Sequence, residues 1–371
     1  MSRQLHIVSF NVPWPADYGG VIDVYYRLRA LAEAGVELHL HCFAYGRGQA
    51  PELERLCAEV NYYQRDMSPW RQLSARPFIV ASRHSDDLRR RLAADGWPVL
   101  LEGIHCCGLL ADGFFAPQRT VMVRTHNVEA DYYALLSRSE RNLGRRLYLA
   151  TEAAKLRHFE PTIGHATAVL AITEADKRAF EAMGCHNVRL MSAAHPYNSV
   201  AKHEGLGNFA LYHGNLAVAE NYNAVARLAD AVFADGITPF VVAGANPPHW
   251  LVAKLDAMPN VTLVANPSDE AMSRLLAEAQ VCIMVTEQAT GLKLKLLASL
   301  YEGRHCLVNR NMVAGTGLEA LCCVAESDDQ LRHELRRLMT TEFSAAEAER
   351  RATVLQPLAT ARAIEPLLSM I

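Results

Sequence analysis

The feature that most constrains this fold is an alternation of short apolar runs with helical patterns, which forms two series along the chain. The opening run leads through a turn-rich loop into a helix that carries Val24, Leu28 and Leu31 on one face and ends at Gly35. Strands separated by helices build a parallel sheet, whose strand ends and helix N-termini form a ligand-binding edge. The apolar runs of the first series lie at 5–10, 37–43, 99–101 and 120–124.

The second series begins after a polar, glycine-containing stretch at 201–208. Its predicted strands lie at 209–213, 239–243, 261–264, 281–285 and 305–308. We therefore predict an α/β protein with two doubly wound, Rossmann-like domains facing a cleft. The boundaries are expected at 1–203 for the N-terminal domain, 204–345 for the C-terminal domain, and 346–371 for a helix that packs back on the N-terminal domain.

Composition and missing motifs exclude several classes of protein. A net charge of -3 gives no field for nucleic acid, and nine cysteines without a CxxC pair favour a reducing compartment. The apolar stretches are too short to span a bilayer, so we expect a cytoplasmic protein with at most peripheral contact at the inner membrane face. The absence of GxxxxGK(S/T), GxGxxG after the first strand, HExxH and DxD argues against P-loop, dinucleotide and metal chemistry.

The segment 281–303 points most directly to a function. It contains a buried strand, a polar turn and a helix expected to begin near Gly291, with Lys293 and Lys295 in its first turns. Free amides at a helix start and two cations together form a cradle for a diphosphate. Thr290 and Gly291 would offer backbone donors, and the lysines would stabilise a departing nucleotide. The alternative is that both lysines are solvated positions of an amphipathic helix.

This segment resembles the donor-site element of family 4 glycosyltransferases, which are retaining enzymes with the GT-B fold. Relatives often read Gly-Thr-Arg-Leu-Lys-Ile-Leu-Glu-Ala-Met-Ala here. The family often places two glutamates eight residues apart, but this chain has Thr290 and Ala298 in those slots. Glu287 and Glu302 lie nearby but out of register. The residues that match by identity or charge are Gly291, Lys293, Leu294, Lys295, Leu297 and Gly303.

A second match is the strand end at 211–216. In the resembling family this glycine-bearing loop faces the donor phosphates. Gly214 would let the backbone approach a ligand, and Asn215 or His213 would hydrogen-bond it. The family's downstream basic residue is absent, and Glu220 and Asn221 stand there. A tight turn alone would also explain Gly214.

The acceptor side is predicted from two places in the first half. The family often carries a His-Asn pair on the cleft wall, and His126 and Asn127 match it. His126 would hydrogen-bond a donor hydroxyl or stabilise charge in the transition state, and Glu129 would position an acceptor. A structural histidine is the alternative. The pair Gly19 and Gly20 matches the family's glycine loop beside the acceptor and the donor diphosphate.

Two further features are weaker. Glu102 follows another strand, and we interpret it as a solvated loop acid. The basic stretch 138–158 contains Leu143 and Leu147 between arginines, and is typical of a solvated helix face; contact with anionic lipid or a lipid-linked acceptor is the alternative.

The resemblance implies a hexosyltransferase that moves a hexose-type sugar from a UDP- or GDP-sugar to a hydroxyl of a glycan or lipid-linked glycan, as in polysaccharide biosynthesis. Retention of stereochemistry and independence of a metal are expected, and no cofactor is needed because the nucleotide-sugar is a substrate. The missing acidic pair suggests an alternative, a noncatalytic GT-B protein that binds a nucleotide-sugar or glycan. A sugar epimerase is the third candidate.

Overall fold

The computed structural model describes residues 3–140, 142–287 and 293–371. The chain forms two compact units, one of Met1–Pro196 with Thr360–Ile371 and the other of Tyr197–Ala359. In the described part of the chain, no helix combines the length and the apolar character needed to cross a bilayer.

The first unit contains a seven-stranded sheet in the order β3-β2-β1-β4-β5-β6-β7, and every recorded pairing is parallel. Strand β1 is buried over its last five residues and β4 over its whole length, as expected for a sheet with helices on both faces. The strands are β1 (Arg3–Ser9), β2 (Val36–Ala44), β3 (Glu59–Gln64), β4 (Val99–Glu102), β5 (Val121–Arg124), β6 (Ala168–Ala171) and β7 (Val188–Leu190).

The helices of the first unit cover this sheet and leave its strand ends accessible to loops. Helix α1 buries the predicted apolar face of Val24, Leu28 and Leu31. Short 3₁₀ turns lie at Pro69–Leu73, Ile104–Cys106 and Glu160–His165. The helices are α1 (Gly19–Glu33), α2 (Pro51–Leu56), α3 (Phe78–Ala81), α4 (Asp86–Ala93), α5 (Gly108–Ala111), α6 (Glu129–Ser139), α7 (Leu143–Phe159) and α8 (Glu174–Ala182).

The second unit contains a six-stranded sheet in the order β10-β9-β8-β11-β12-β13, again with parallel pairings. Its strands are β8 (Phe209–His213), β9 (Phe240–Gly244), β10 (Val261–Ala265), β11 (Ala279–Met284), β12 (His305–Val308) and β13 (Cys323–Val324). Its helices are α9 (Ala219–Ala231), α10 (His249–Asp256), α11 (Asp269–Glu278), α12 (Leu294–Glu302), α13 (Arg310–Val313), α14 (Asp328–Met339) and α15 (Ala345–Leu355). Its 3₁₀ turns lie at Glu319–Leu321 and Gln356–Leu358.

The C-terminal stretch 346–371 is divided between the two units. Arg351 in α15 is buried and donates hydrogen bonds to the carbonyls of Leu300 and Gly303, which ties this helix to the second unit. The last residues form α16 (Thr360–Ala363) and α17 (Glu365–Leu368) in the first unit. There Ile364 and Leu367 join the core of the seven-stranded sheet.

The predicted fold class is confirmed, because both halves are parallel sheets with interleaved helices. One element begins later than expected. The helix predicted to start near Gly291 is described from Leu294, with Lys293 as its extended N-cap residue. Gly291 itself lies outside the described residues.

Candidate functional site

The carboxyl edge of the six-stranded sheet gathers most of the predicted donor-site residues. Lys295 lies in the first turn of α12, and its Nζ donates to Asn221 Oδ1 at 3.0 Å and to the Tyr212 hydroxyl at 3.3 Å. The same Nζ lies 5.1 Å from the centre of the Tyr212 ring, where the π face attracts a cation. Lys295 is therefore a positioned cation rather than a freely solvated one.

Asn221 connects this lysine to the predicted glycine loop. Its Oδ1 accepts from the Tyr212 hydroxyl at 3.0 Å, and its Nδ2 donates to the carbonyl of Asn215 at 2.8 Å. The side chain of Asn215 is used within its own loop, because its Oδ1 accepts from the amide of Ala217 at 3.0 Å. The loop and Lys295 thus share one hydrogen-bonded support.

The glycine loop is packed against the end of the neighbouring strand β9. A Cβ atom on Gly244 would lie 1.9 Å from the carbonyl oxygen of Gly214. The amide of Gly214 also donates to the carbonyl of Ala243 at 3.1 Å. Only glycine at position 244 permits this approach of the two loops without a shift of the backbone.

A carboxylate that the sequence analysis did not select lies beside Lys295. Glu220, in the first turn of α9, accepts a hydrogen bond from the Thr286 hydroxyl after β11. Asn309 fixes this threonine, since it accepts from the Thr286 amide at 3.1 Å and donates to its carbonyl at 2.7 Å. The sequence did contain a signal for Glu220, because an acid stands here where the resembling family carries a basic side chain.

The electrostatics of the cradle follow from burial and this acid. Burial lowers the pKa of Lys295 to about 8, and the nearby Glu220 acts in the opposite direction. At neutral pH the ammonium form therefore dominates, with its charge only partly hydrated. A partly desolvated cation interacts more strongly with an anion than a fully hydrated one does.

The remaining donor-side predictions have different outcomes. Lys293 is in the described chain at the N-cap of α12, and Glu287 is exposed, with its carbonyl accepting from Asn311 Nδ2 at 3.2 Å. Thr290 and Gly291 lie outside the described residues. Ala298, in the family's second acidic slot, is buried in an apolar cluster.

His213, at the end of β8, has a structural environment. Its Nε2 lies 2.8 Å from the Ser299 hydroxyl, and its side chain is buried. Burial lowers the pKa of His213 to about 4, so the imidazole is neutral at physiological pH. It supports the contact between β8 and α12 without adding charge to the cradle.

The first unit contains a buried network of four charges where β4, β5 and α1 meet. Glu102 and Arg124 are register partners at the ends of β4 and β5. Arg27 Nη2 lies 2.8 Å from Asp23 Oδ2 and Arg27 Nε lies 3.2 Å from Glu102 Oε1. Arg124 Nη2 lies 3.2 Å from the same Asp23 oxygen. Two carboxylates and two guanidinium groups thus balance one another within the core.

This network corrects the interpretation of Glu102 as a solvated loop acid. Its side chain is fully buried, and Arg27 supplies the opposite charge that burial requires. Asp23 has a similar environment: burial would raise its pKa, but Arg124 and Arg27 outweigh this effect and hold the pKa below the usual value. The sequence could not show the pairing of Glu102, because Arg27 lies in a different element.

His126 lies at the border of this network. Its Nε2 is 3.5 Å from Glu102 Oε2 and 3.6 Å from Asp23 Oδ2, longer than hydrogen bonds but within ion-pair range. The ring of Phe10 packs against it edge-on, with centroids 5.3 Å apart. A Cβ on Gly20 would lie 3.0 Å from that Phe10 ring. Phe10 therefore brings together two of the predicted acceptor-side residues.

The other acceptor-side residues occupy different positions. Gly19 and Gly20 form the start of α1 rather than a loop before it. Glu129 begins α6 with a buried side chain that hydrogen-bonds Asn127. Burial, with Glu160 beside it, raises the pKa of Glu129 to about 8. Glu129 and Asn127 therefore form a local contact of their own.

We predict that Asp23→Asn destabilises the first unit by about 3–5 kcal/mol, because it leaves two buried guanidinium groups with one carboxylate. Urea unfolding followed by tryptophan fluorescence measures the effect, since Trp14, Trp70 and Trp97 belong to this unit.

Asp17→Asn is the matched control, because Asp17 pairs with Arg47 at the surface and its side chain is 55% exposed. Its expected cost is below about 1 kcal/mol. A cost equally small for Asp23→Asn would contradict the role assigned to the network.

Comparison with known proteins places these sites in a recognised fold. No family model matches the chain. An uncharacterized 44.6 kDa protein in the cps region of Klebsiella pneumoniae is 23% identical over 323 residues, which cover 79% of this chain and 79% of that protein.

Three solved structures are similar over nearly their whole length. TarM has a TM-score of 0.71 at 9% identity, and the match covers 100% of this chain and 99% of TarM. HepE from Anabaena, in complex with UDP and glucose, has a TM-score of 0.64 at 11% identity, with coverage of 100% and 99%. A UDP-forming trehalose-phosphate synthase from Burkholderia xenovorans, in complex with glucose-6-phosphate, has a TM-score of 0.60 at 11% identity, with coverage of 99% of each chain.

These neighbours are GT-B glycosyltransferases. Identities this low carry the architecture and leave family 4 as a prediction. The chain therefore has the fold of the GT-B glycosyltransferases.

Proposed function

We propose that the protein is a glycosyltransferase that moves a hexose-type sugar from a UDP- or GDP-sugar to a hydroxyl of a glycan or lipid-linked glycan. The observation that carries the proposal is the positioned ammonium of Lys295 at the carboxyl edge of the second sheet, in a chain with the GT-B fold. The UDP in the similar HepE structure favours a uridine donor. Synthesis of a polysaccharide is part of the same proposal.

On the donor side, Lys295 would stabilise the diphosphate as the bond to the sugar breaks. Charge that develops on a leaving group is best stabilised by a cation already in place, since no reorganisation is then needed. Lys293, two residues earlier, would add a second positive charge. Transfer would proceed with retention, without a metal and without a covalent intermediate on a protein nucleophile.

Glu220 is the acid that this chain offers in place of the family's missing pair. The Thr286 hydroxyl donates to one of its oxygens, which fixes the carboxylate near Lys295. A carboxylate accepts hydrogen bonds from sugar or ribose hydroxyls. We assign Glu220 this role, with Gly214 and Asn215 forming the adjacent backbone surface and Glu287, Thr290 and Gly291 completing the turn.

On the acceptor side, His126 has the best physical support. Its Nε2 lies within 3.6 Å of two buried carboxylates, and the ring of Phe10 packs against it edge-on. Gly19 and Gly20 contribute the N-terminal amides of α1, a favourable place for an anion. Glu129 would act through its contact with Asn127 rather than by touching an acceptor directly.

Peripheral contact with anionic lipid is a further part of the proposal. Leu143 and Leu147 lie one turn apart on α7 and are 79% and 69% exposed. Lys155 on the same helix donates to the carbonyl of Gln72 at 2.8 Å, in the 3₁₀ turn that exposes Trp70 and Leu73 by 77% and 78%. Exposed apolar side chains among arginines are typical of proteins that bind membrane surfaces.

For the donor cradle, we predict that Lys295→Met slows transfer by about 100-fold or more, because it removes a charge that stabilises the leaving group. The assay follows UDP or GDP release and sugar transfer from UDP-glucose, UDP-GlcNAc and GDP-mannose to a panel of glycosides. Lys254→Met is the control, since Lys254 pairs with Asp230 elsewhere in the second unit.

The outcomes separate the candidate functions. Equal rates for Lys295→Met and wild type would refute the assigned role of the lysine. Donor binding without turnover across the panel would support the noncatalytic alternative. Conversion of the donor sugar without any acceptor, detected by NMR, would identify an epimerase.

For the membrane contact, we predict that Leu143→Ser/Leu147→Ser lowers co-sedimentation with phosphatidylglycerol vesicles by at least about tenfold, because two apolar side chains are lost from the lipid surface. Leu206→Ser is the control, as Leu206 is 53% exposed in the second unit. Equal sedimentation of the double variant and wild type would contradict lipid contact through α7.

A further inference from the structure

A cavity of about 250 Å³ lies in the first unit, between the segment that joins α3 to α4 and the 3₁₀ turn that follows β4. Its lining is rich in basic and hydroxyl side chains, with an apolar floor that includes Phe43 and Leu109. The polar residues at its wall include Arg71, Ser74, Arg76, Arg83 and Ser85. None of them belongs to the acceptor-side set described above.

Two of the three arginines at this cavity already have counter-charges. Arg71 Nε lies 2.7 Å from Asp66 Oδ2, and Arg76 forms an ion pair with Asp112. Arg83 differs from both. In the described parts of the chain, no carboxylate lies within ion-pair distance of its guanidinium, which donates instead to the main-chain carbonyls of Phe10 at 2.9 Å and Ile79 at 2.6 Å.

A second arginine without a counter-charge lies next to Arg83. Arg65 donates to the Ser82 hydroxyl at 3.0 Å and packs over the rings of Tyr45 and Phe78, at 4.8 and 5.4 Å. It too lacks a carboxylate within ion-pair distance among the described residues. Arg65 does not line the cavity itself, but its positive charge lies near Arg83, which does line it.

Burial affects the pKa of both arginines. Burial, with Arg65 as a neighbouring cation, lowers the pKa of Arg83 to about 10, and burial also lowers the pKa of Arg65. Both side chains remain charged at neutral pH, yet their charges are only partly hydrated. A partly buried cation without a partner is costly, and an anion that reaches it removes this cost.

The cavity is adjacent to the predicted acceptor wall within the same unit. Arg83 holds the carbonyl of Phe10, while the Phe10 ring packs against His126 and His105, with both centroid distances 5.3 Å. Burial, with Arg83 beside it, lowers the pKa of His105 well below its usual value, so this imidazole adds no charge. A ligand group at Arg83 would thus lie one aromatic ring away from His126.

We propose that the Arg83 cavity binds an oxyanion, either a phosphate or a carboxylate, carried by the acceptor substrate. Nε and Nη1 of Arg83 donate to main-chain carbonyls, whereas Nη2 donates to no described protein atom, so its N–H groups remain available for charge-assisted hydrogen bonds to an oxyanion. The volume is below the roughly 300–1,000 Å³ of pockets that enclose whole small molecules, so it accommodates one charged group while the rest of the acceptor extends outward. That the anion belongs to an acceptor substrate rests on the proposed glycosyl transfer, whereas the anion site itself rests on Arg83.

The test is binding by calorimetry with inorganic phosphate, glucose-6-phosphate, glucuronate and uncharged glucose as probes. We expect the anionic probes to bind and glucose not to bind under the same conditions. Arg83→Gln should weaken the binding of the anionic probes by at least about tenfold, as for loss of a charge-assisted hydrogen bond. Stronger binding of glucose-6-phosphate than of glucuronate identifies a phosphate ligand, and the reverse order identifies a carboxylate.

Arg119→Gln is the matched control, because Arg119 also donates to a main-chain carbonyl, that of Trp97 at 2.8 Å, but pairs with Asp95. Gly108→Asp tests the same site with Arg83 intact: Gly108 lines the cavity and is the first residue of α5, where a carboxylate is compatible with the helix. The added carboxylate should compete with the probes and abolish their binding.

Binding of the anionic probes that is unchanged in both Arg83→Gln and Gly108→Asp would overturn the assignment, as would failure of wild type to bind any of them. Because these titrations contain no nucleotide-sugar, they report on the anion site even if no transfer activity is found. Conversely, transfer to a neutral acceptor with no dependence on Arg83 would leave the proposed function standing and refute the anion site.

Discussion

The candidate donor site of the second unit depends on the hydrogen bonds that the ammonium group of Lys295 donates. This group joins the start of α12 to Tyr212 at the end of β8 and to Asn221, which in turn holds the glycine loop. The same group is partly desolvated, and burial lowers its pKa to about 8. Lys295 therefore has two roles. It holds the surrounding loops in place, and its positive charge lies where a diphosphate would bind.

The first unit shows the opposite use of charge. Asp23, Arg27, Glu102 and Arg124 are buried and neutralise one another, so they fix the ends of β4 and β5 without attracting a ligand. His126 lies at the border of this balanced network, whereas Arg83 and Arg65 lie outside it, and among the described residues neither has a carboxylate within ion-pair distance. We therefore expect substrate groups to bind beside His126 and at Arg83, rather than at the four charges that already neutralise one another.

The fold could be predicted from the sequence because apolar periodicity reports directly on strands and helices. Val24, Leu28 and Leu31 marked α1 correctly, and the apolar runs marked the parallel strands except β3, β6, β7 and β13, which were not predicted. These charges could not be predicted with the same certainty, because their partners are remote in sequence: buried Glu102 pairs with Arg27, and half-buried Glu220 accepts a hydrogen bond from Thr286. One local signal was present, since Asp23 and Arg27 lie four residues apart and flank Val24 on the face that α1 buries. Charged residues at such positions indicate a buried ion pair.

The most direct test of the donor cradle is a calorimetric titration of the protein with UDP and with uridine, at pH 7 and pH 9, with GDP and guanosine as the second pair. The account predicts that at pH 7 the diphosphate binds about 100-fold more tightly than its nucleoside, as two charge-assisted contacts would give. The difference should narrow at pH 9, because Lys295 loses its proton as the pH rises through about 8 and binding must then restore it. Equal affinities for nucleotide and nucleoside at both pH values would contradict a diphosphate site at Lys295.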